Sequence, residues 1–166
     1  MDRYTGTTSS DGPARTRAIG AALGRAATPG TVLALVGPLG AGKTLLAKGV
    51  AEGLGVQSVV NSPTFVLMNE HAGRLPLYHI DAYRLDDPEE ALMVGLFDDR
   101  QLGGVTVVEW ADRLDGWLPI DRLDIELRPD AADEQRRDIR WRANGQSAAR
   151  LARATLAHAV ADGAAR

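Results

Sequence analysis

Apolar residues in this chain fall in short blocks whose spacing switches between helical and alternating, and their order predicts a mixed α/β domain. Over residues 13–27, Ile19 and Leu23 are spaced for one helix face, and Pro29-Gly30 ends the segment. Residues 31–36, TVLALV, are an apolar, β-branched run of the kind buried on both faces of a parallel sheet. A glycine-rich stretch and a second helix, about 43–54, follow, closed by Gly55. Residues 65–70 and 75–80 read as strands joined by the turn His71-Ala72-Gly73-Arg74. Asp87-Pro88-Glu89-Glu90 has the signs of a helix start: Asp as N-cap, Pro in the first turn, and acids facing the positive end of the dipole. Gly95 would stop that helix. VTVV at 105–108 reads as a further buried strand, and 122–128 and 138–142 alternate as an antiparallel pair. Asn144-Gly145 forms a turn, and Ser147 as N-cap opens a last helix to about residue 161. Residues 1–13 are polar and turn-rich, so a frayed, flexible segment is expected there. The expected organisation is one three-layer α/β domain over 14–145, with a mixed, partly parallel sheet flanked by helices. The helix in 146–166 packs on that domain or extends it.

Composition narrows the class. The chain has 166 residues, 45% hydrophobic and 25% charged, which suits one globular domain with its own core. Cysteine is absent, which removes disulfides, thiolate metal sites and cysteine nucleophiles together. The longest purely apolar run is Val32 to Val36, far below the roughly 20 residues of a membrane span. Residues 1–13 lack the basic and apolar regions of a secretory signal, so a cytoplasmic protein with no membrane association is expected. The net charge of −3 is unevenly spread: residues 61–120 hold four bases and eleven acids. By contrast Arg136, Arg137, Arg140, Arg142, Arg150 and Arg153 face a single acid, Asp138. That cluster is either a solvated face or a contact for phosphate or nucleic acid. With seventeen Arg and two Lys, the place of each lysine becomes informative.

One of those lysines stands in Gly37-Pro38-Leu39-Gly40-Ala41-Gly42-Lys43-Thr44, a full GxxxxGK[ST] between a buried strand and a helix. Each residue type has a task there. The glycines let successive N–H groups curl into an anion-sized nest, and the helix adds its positive dipole end. Lys43 offers a mobile charge to the β- and γ-phosphates, and Thr44 a hydroxyl to Mg²⁺. Such a loop needs a carboxylate at a neighbouring strand end to help hold the metal. Glu109, after VTVV, and Asp81, after Leu77-Tyr78-His79-Ile80, are the candidates. Two acids near one centre suggest a division between metal and attacking water. Ser62-Pro63-Thr64-Phe65 fits either a loop whose threonine closes on the γ-phosphate or a plain Pro-stiffened turn. His79, within a strand, reads as a core residue before a catalytic one, and His71 and His158 have no metal-ligand partners at useful spacing. No N-K-x-D tetrapeptide occurs, which favours ATP over GTP.

The order GPLGAGKT (37–44), SPTF (62–65), HIDAYRL (79–85), DPEEA (87–91) and VVEW (107–110) closely resembles the TsaE family, also called YjeE. These are P-loop ATPases of tRNA threonylcarbamoyladenosine (t6A) synthesis. The match runs from about Thr16 to Trp110, and the combination with HxDxYRL and VEW makes it specific. The resemblance implies that Gly37, Leu39, Gly40, Ala41, Gly42, Lys43, Thr44, Leu45 and Trp110 surround ATP. It implies Thr44 and Glu109 as Mg²⁺ ligands, and Asp81, Lys43 and Thr64 in catalysis, with Thr64 in a switch-like loop. Residues 16–20 would approach the adenine. Pro38 and Leu45 depart from the family pattern, at positions whose side chains phosphate binding does not use. The implied activity is slow ATP hydrolysis in support of TsaB and TsaD, which modify adenosine 37 of tRNAs reading codons that begin with A. Contact with tRNA would be indirect, through that complex. The alternatives are a P-loop small-molecule kinase and a nucleotide-dependent assembly or RNA-binding module. Against the first, the arginines of 136–142 fall in expected strands and not in a lid; against the second, no RRM, KH or OB signature appears.

Overall fold

The computed structural model describes residues 3–63, 67–87, 89 and 97–157. Within these, seven strands form one sheet in the order β1-β7-β6-β2-β5-β4-β3. The strands are β1 (Arg3–Ser10), β2 (Val32–Val36), β3 (Met68–His71), β4 (Leu77–Asp81), β5 (Val105–Glu109), β6 (Arg122–Pro129) and β7 (Arg137–Asn144). The helices are α1 (Pro13–Ala26), α2 (Lys43–Gly53) and α3 (Gln146–Ala154). Strand β2 runs parallel to both β5 and β6, and β4 parallel to β5. The remaining pairs, β3–β4, β6–β7 and β1–β7, are antiparallel. The fold is therefore the expected mixed α/β sheet, parallel at its centre and antiparallel at both edges.

Alternation along the central strands divides the core in two. Leu33, Leu35, Val107 and Ile125 face α1, α2 and α3, while Ala34, Ile80 and Val108 face Leu85, Leu114 and their neighbours on the other side. Helices α1 and α2 touch backbone to backbone: a Cβ on Gly20 would stand 2.3 Å from the Leu46 carbonyl, and one on Gly49 2.2 Å from that of Arg17. The end of α1 is tied down by Arg74, whose guanidinium donates to the carbonyls of Gly24 and Ala27, each at 2.9 Å.

Two expectations are corrected. Residues 3–10, expected to fray within the segment 1–13, are the edge strand β1, paired to β7 along its whole length. Its Thr- and Ser-rich sequence hides the reason: Tyr4 packs on Trp141, with ring centroids 5.0 Å apart, and Gly6 leaves room for the indole. The last helix starts at Gln146 and is not capped by Ser147. Asp121, remote in sequence, accepts the N–H groups of Ser147 and Ala148 at 3.1 and 3.0 Å, and Gly145 gives its carboxylate access. Of the helix expected from Asp87, the described part is its opening, where Asp87 Oδ1 accepts the Glu89 N–H at 3.0 Å. Residues 90–95 and 158–161, and the start of the strand expected at 65–70, lie outside the described residues.

Candidate functional site

The loop between β2 and α2 has the shape its sequence requires. Gly40 and Gly42 adopt φ of +77° and +104°, a region that side-chain-bearing residues rarely enter. A Cβ on Gly37 would stand 2.4 Å from the Leu127 carbonyl, so the loop lies directly against β6. Leu39 projects from the loop tip, 81% exposed, and Ala41 is buried beneath it. Leu45 is half-buried in the first turn of α2. Lys43 is 4% exposed; its Nζ donates to the carbonyls of Gly37 and Pro38 at 2.6 and 2.8 Å and lies 3.9 Å from the centre of the Trp110 ring. Burial lowers its pKa below that of an ordinary lysine, against the opposing pull of Glu109, Asp112 and Asp81.

Parallel pairing brings both acids to this loop. Asp81 and Glu109 are register partners at the carboxyl ends of β4 and β5, and Glu109 also lies across from Leu35 of β2. Glu109 shares the α2 face with Val105 and Val107, so its side chain reaches the start of that helix. The Thr44 hydroxyl donates to Glu109 Oε1 at 2.7 Å, and His79 Nε2 stands 2.5 Å from Oε2. Asp81 accepts from the Ser62 hydroxyl and, at 2.9 Å, from the Tyr83 N–H. Trp110, directly after Glu109, has φ of +55°, the one positive φ outside glycine among the described residues. That strained backbone turns its ring over Lys43 and against Tyr83, whose centroid is 4.9 Å away. Of the residues expected at the site, Thr64 lies outside the described ones; the others converge on this loop.

Three participants stood in the sequence without any sign of their partners. His79 is fully buried against Glu109. Ser62 belongs to SPTF, where attention falls on the threonine, yet it is the serine that binds Asp81. Arg137, one of a run of arginines, donates to the carbonyls of Ala41 and Gly40 at 3.0 and 3.2 Å and clamps the loop to β7. Nothing in the sequence separates it from its neighbours. The N-terminal segment also approaches. Thr16 bonds Ser10 at 2.8 Å, and its methyl would be 3.7 Å from a Cβ on Gly42.

The donor set fits a nucleotide with Mg²⁺. Among the described residues no group of three or more His, Cys, Asp or Glu is arranged to cage a metal ion. Mg²⁺ needs no such cage, because one carboxylate or hydroxyl from the protein is completed by phosphate oxygens and water. Thr44 and Glu109, bonded to each other at 2.7 Å, could supply such ligands beside a loop whose N–H groups suit phosphate. No helix among the described residues is long and apolar enough to cross a membrane.

A buried strand, this glycine loop, a helix opened by Lys43-Thr44 and an acid ending the adjacent parallel strand define a P-loop NTPase-type fold. The sequence matches the family model described as Threonylcarbamoyl adenosine biosynthesis protein TsaE over residues 10–139. The chain belongs to the TsaE family. It is 46% identical over 134 residues to the tRNA threonylcarbamoyladenosine biosynthesis protein TsaE of Bacillus subtilis, covering 80% of this chain and 82% of that one. The Treponema pallidum protein of the same name is 43% identical over 109 residues, 66% of this chain and 81% of its own. The crystal structure of Bacillus subtilis YdiB superposes with a TM-score of 0.78 at 35% identity, covering 95% of this chain and 98% of the other.

Proposed function

We propose that this chain binds and hydrolyses ATP with Mg²⁺ in t6A synthesis. It would act in the cytoplasm with TsaB and TsaD, meet tRNA only through that complex, and leave formation of the modified base to its partners. The observation that carries the reading is the convergence of Lys43, Thr44, Glu109 and Asp81 on one glycine loop. In hydrolysis a water oxygen bonds the γ-phosphorus, the bond from that phosphorus to the β–γ bridging oxygen breaks, and ADP leaves.

Each side chain has a part in that reaction. Backbone N–H groups of Gly37 and of residues 39–45 bind the phosphates, and Lys43 turns from the Gly37 and Pro38 carbonyls toward the β- and γ-oxygens. Thr44 and Glu109 hold Mg²⁺, which supplies charge neutralisation at the phosphates when bound. Asp81 orients the attacking water and accepts its proton, the water competing with or joining the Ser62 hydroxyl at the carboxylate. Trp110, with its ring over Lys43, flanks the phosphate loop.

Fast phosphoryl transfer also needs a cation on the developing γ-phosphate charge, worth roughly 10³–10⁵ in rate where it has been removed. On this reading a partner supplies that charge, so turnover is coupled to assembly. The test compares ATP turnover by the chain alone, with TsaB–TsaD, and with tRNA added. Slow turnover alone and a marked rise with the partners are expected. Fast turnover indifferent to both would turn the reading toward a free-standing ATPase or a kinase.

A further inference from the structure

His79 lies in the middle of β4 with no exposed surface. Tyr78 and Ile80 point away from α2, whereas Leu77, His79 and Asp81 share the face toward it. Its register partner on β5 is Val107, and Glu109 stands two residues further on. A histidine there is a poor choice for packing alone. Leucine or valine would fill such a strand without burying a ring nitrogen, and Nδ1 has no partner among the described residues. Among the described residues the imidazole's one polar contact is Nε2 to Glu109 Oε2, at 2.5 Å. A carboxylate offers only lone pairs, so Nε2 carries the hydrogen and donates it.

The consequence falls on the other oxygen. Glu109 has two carboxylate oxygens, and with Oε2 fixed by the ring, Oε1 is directed at the Thr44 hydroxyl, 2.7 Å away. We infer that His79 is a positioning residue for the metal ion: it locks the Glu109 carboxylate so that Oε1 and Thr44 Oγ1 present one prearranged pair to nucleotide-bound Mg²⁺. His79 touches neither nucleotide nor metal and acts through Glu109. The inference rests on the proposed Mg²⁺–ATP reading of the site and adds a residue that sets its metal affinity. Loss of a group that orients a metal ligand lowers metal affinity about 10–100-fold in comparable sites.

The test is ATP binding by the full chain, measured calorimetrically across a Mg²⁺ titration and again in EDTA. His79→Leu keeps bulk and removes the donor; His79→Gln returns an N–H at about the reach of Nε2. With His79→Leu the half-saturating Mg²⁺ concentration should rise about 10–100-fold, while affinity in EDTA stays within about twofold of wild type. His79→Gln should recover most of the shift. If His79→Leu does not fold, as judged by thermal melting, His79→Asn replaces it, because its shorter amide falls short of Glu109. An unchanged Mg²⁺ dependence in the folded donorless variant overturns the inference, as does an equal shift in the Gln variant. Wild-type protein that binds ATP equally with and without Mg²⁺ overturns the reading of the site itself.

Discussion

Glu109 and Asp81 occupy the same register position on neighbouring parallel strands, yet they are held in different ways. Glu109 ends a strand flanked on both sides by parallel neighbours, is 2% exposed, and takes its bonds from α2 and β4 through Thr44 and His79. Asp81 ends a strand with a short antiparallel edge strand on one side, is 9% exposed, and takes its bonds from Ser62 and Tyr83, both in loops. One carboxylate is held from a helix and a strand, and the other from irregular segments. A metal ligand needs fixed coordinates, and a group that engages water only after nucleotide arrives needs a reversible hold. The contrast in support, more than the shared chemistry, is what favours the two proposed roles.

The contrast can be broken most severely at Asp81. Asp81→Asn removes the proton acceptor, so ATP turnover in the presence of TsaB–TsaD should fall about 10²–10⁴-fold while ADP affinity holds. Single-turnover kinetics beside ADP calorimetry reads both. Lys43→Ala takes a charge away from both acids and from the phosphates at once. ATP binding should weaken by about 2–4 kcal/mol with the fold intact, since the amine's hydrogen bonds among the described residues go to the loop's own Gly37 and Pro38 carbonyls. Ser62→Ala sharpens the comparison from the loop side. Loss of its bond to Asp81 should cost about 1 kcal/mol in thermal or denaturant unfolding and leave the Mg²⁺ dependence of ATP binding unaltered.

The smallest effect concerns His71, on the edge strand beside Asp81's strand. Burial, helped by the nearby His79, holds its pKa below the ordinary 6.5. The unfolded chain therefore binds more protons at this residue than the folded one. Its contribution to stability is present above pH 6.5 and is lost as pH falls from there through the folded-state value. Melting temperature should drop on acidification across that window, and His71→Gln should drop less.

Much of this was legible in the sequence because it is local. GxxxxGK[ST] fixes a strand, a loop and a helix start in eight residues, and apolar runs ending in acid mark β4 and β5 as strands that deliver carboxylates. What escaped depends on residues far apart in the chain. β1 is a strand because Tyr4 and Gly6 fit Trp141, a relation between residues more than a hundred apart that alternation within residues 3–10 does not reveal. Asp121 displaces Ser147 as the cap of α3 for a similar reason. Arg137 and His79 were visible as residue types, but their partners, the loop carbonyls and Glu109, are set by strand register. The glycine contact between α1 and α2 was hidden because apolar spacing records side chains and this contact is made by backbone.

The central claim is that this loop binds ATP with Mg²⁺ held through Glu109 and not through Asp81. Calorimetric ATP affinity, with Mg²⁺ and in EDTA, for wild type, Glu109→Gln and Asp81→Asn tests it most directly. Wild type and Asp81→Asn should show the same tightening by Mg²⁺, and Glu109→Gln should lose most of it while binding ATP in EDTA as wild type does. Retention of the Mg²⁺ effect by Glu109→Gln, with its loss in Asp81→Asn, would contradict the account.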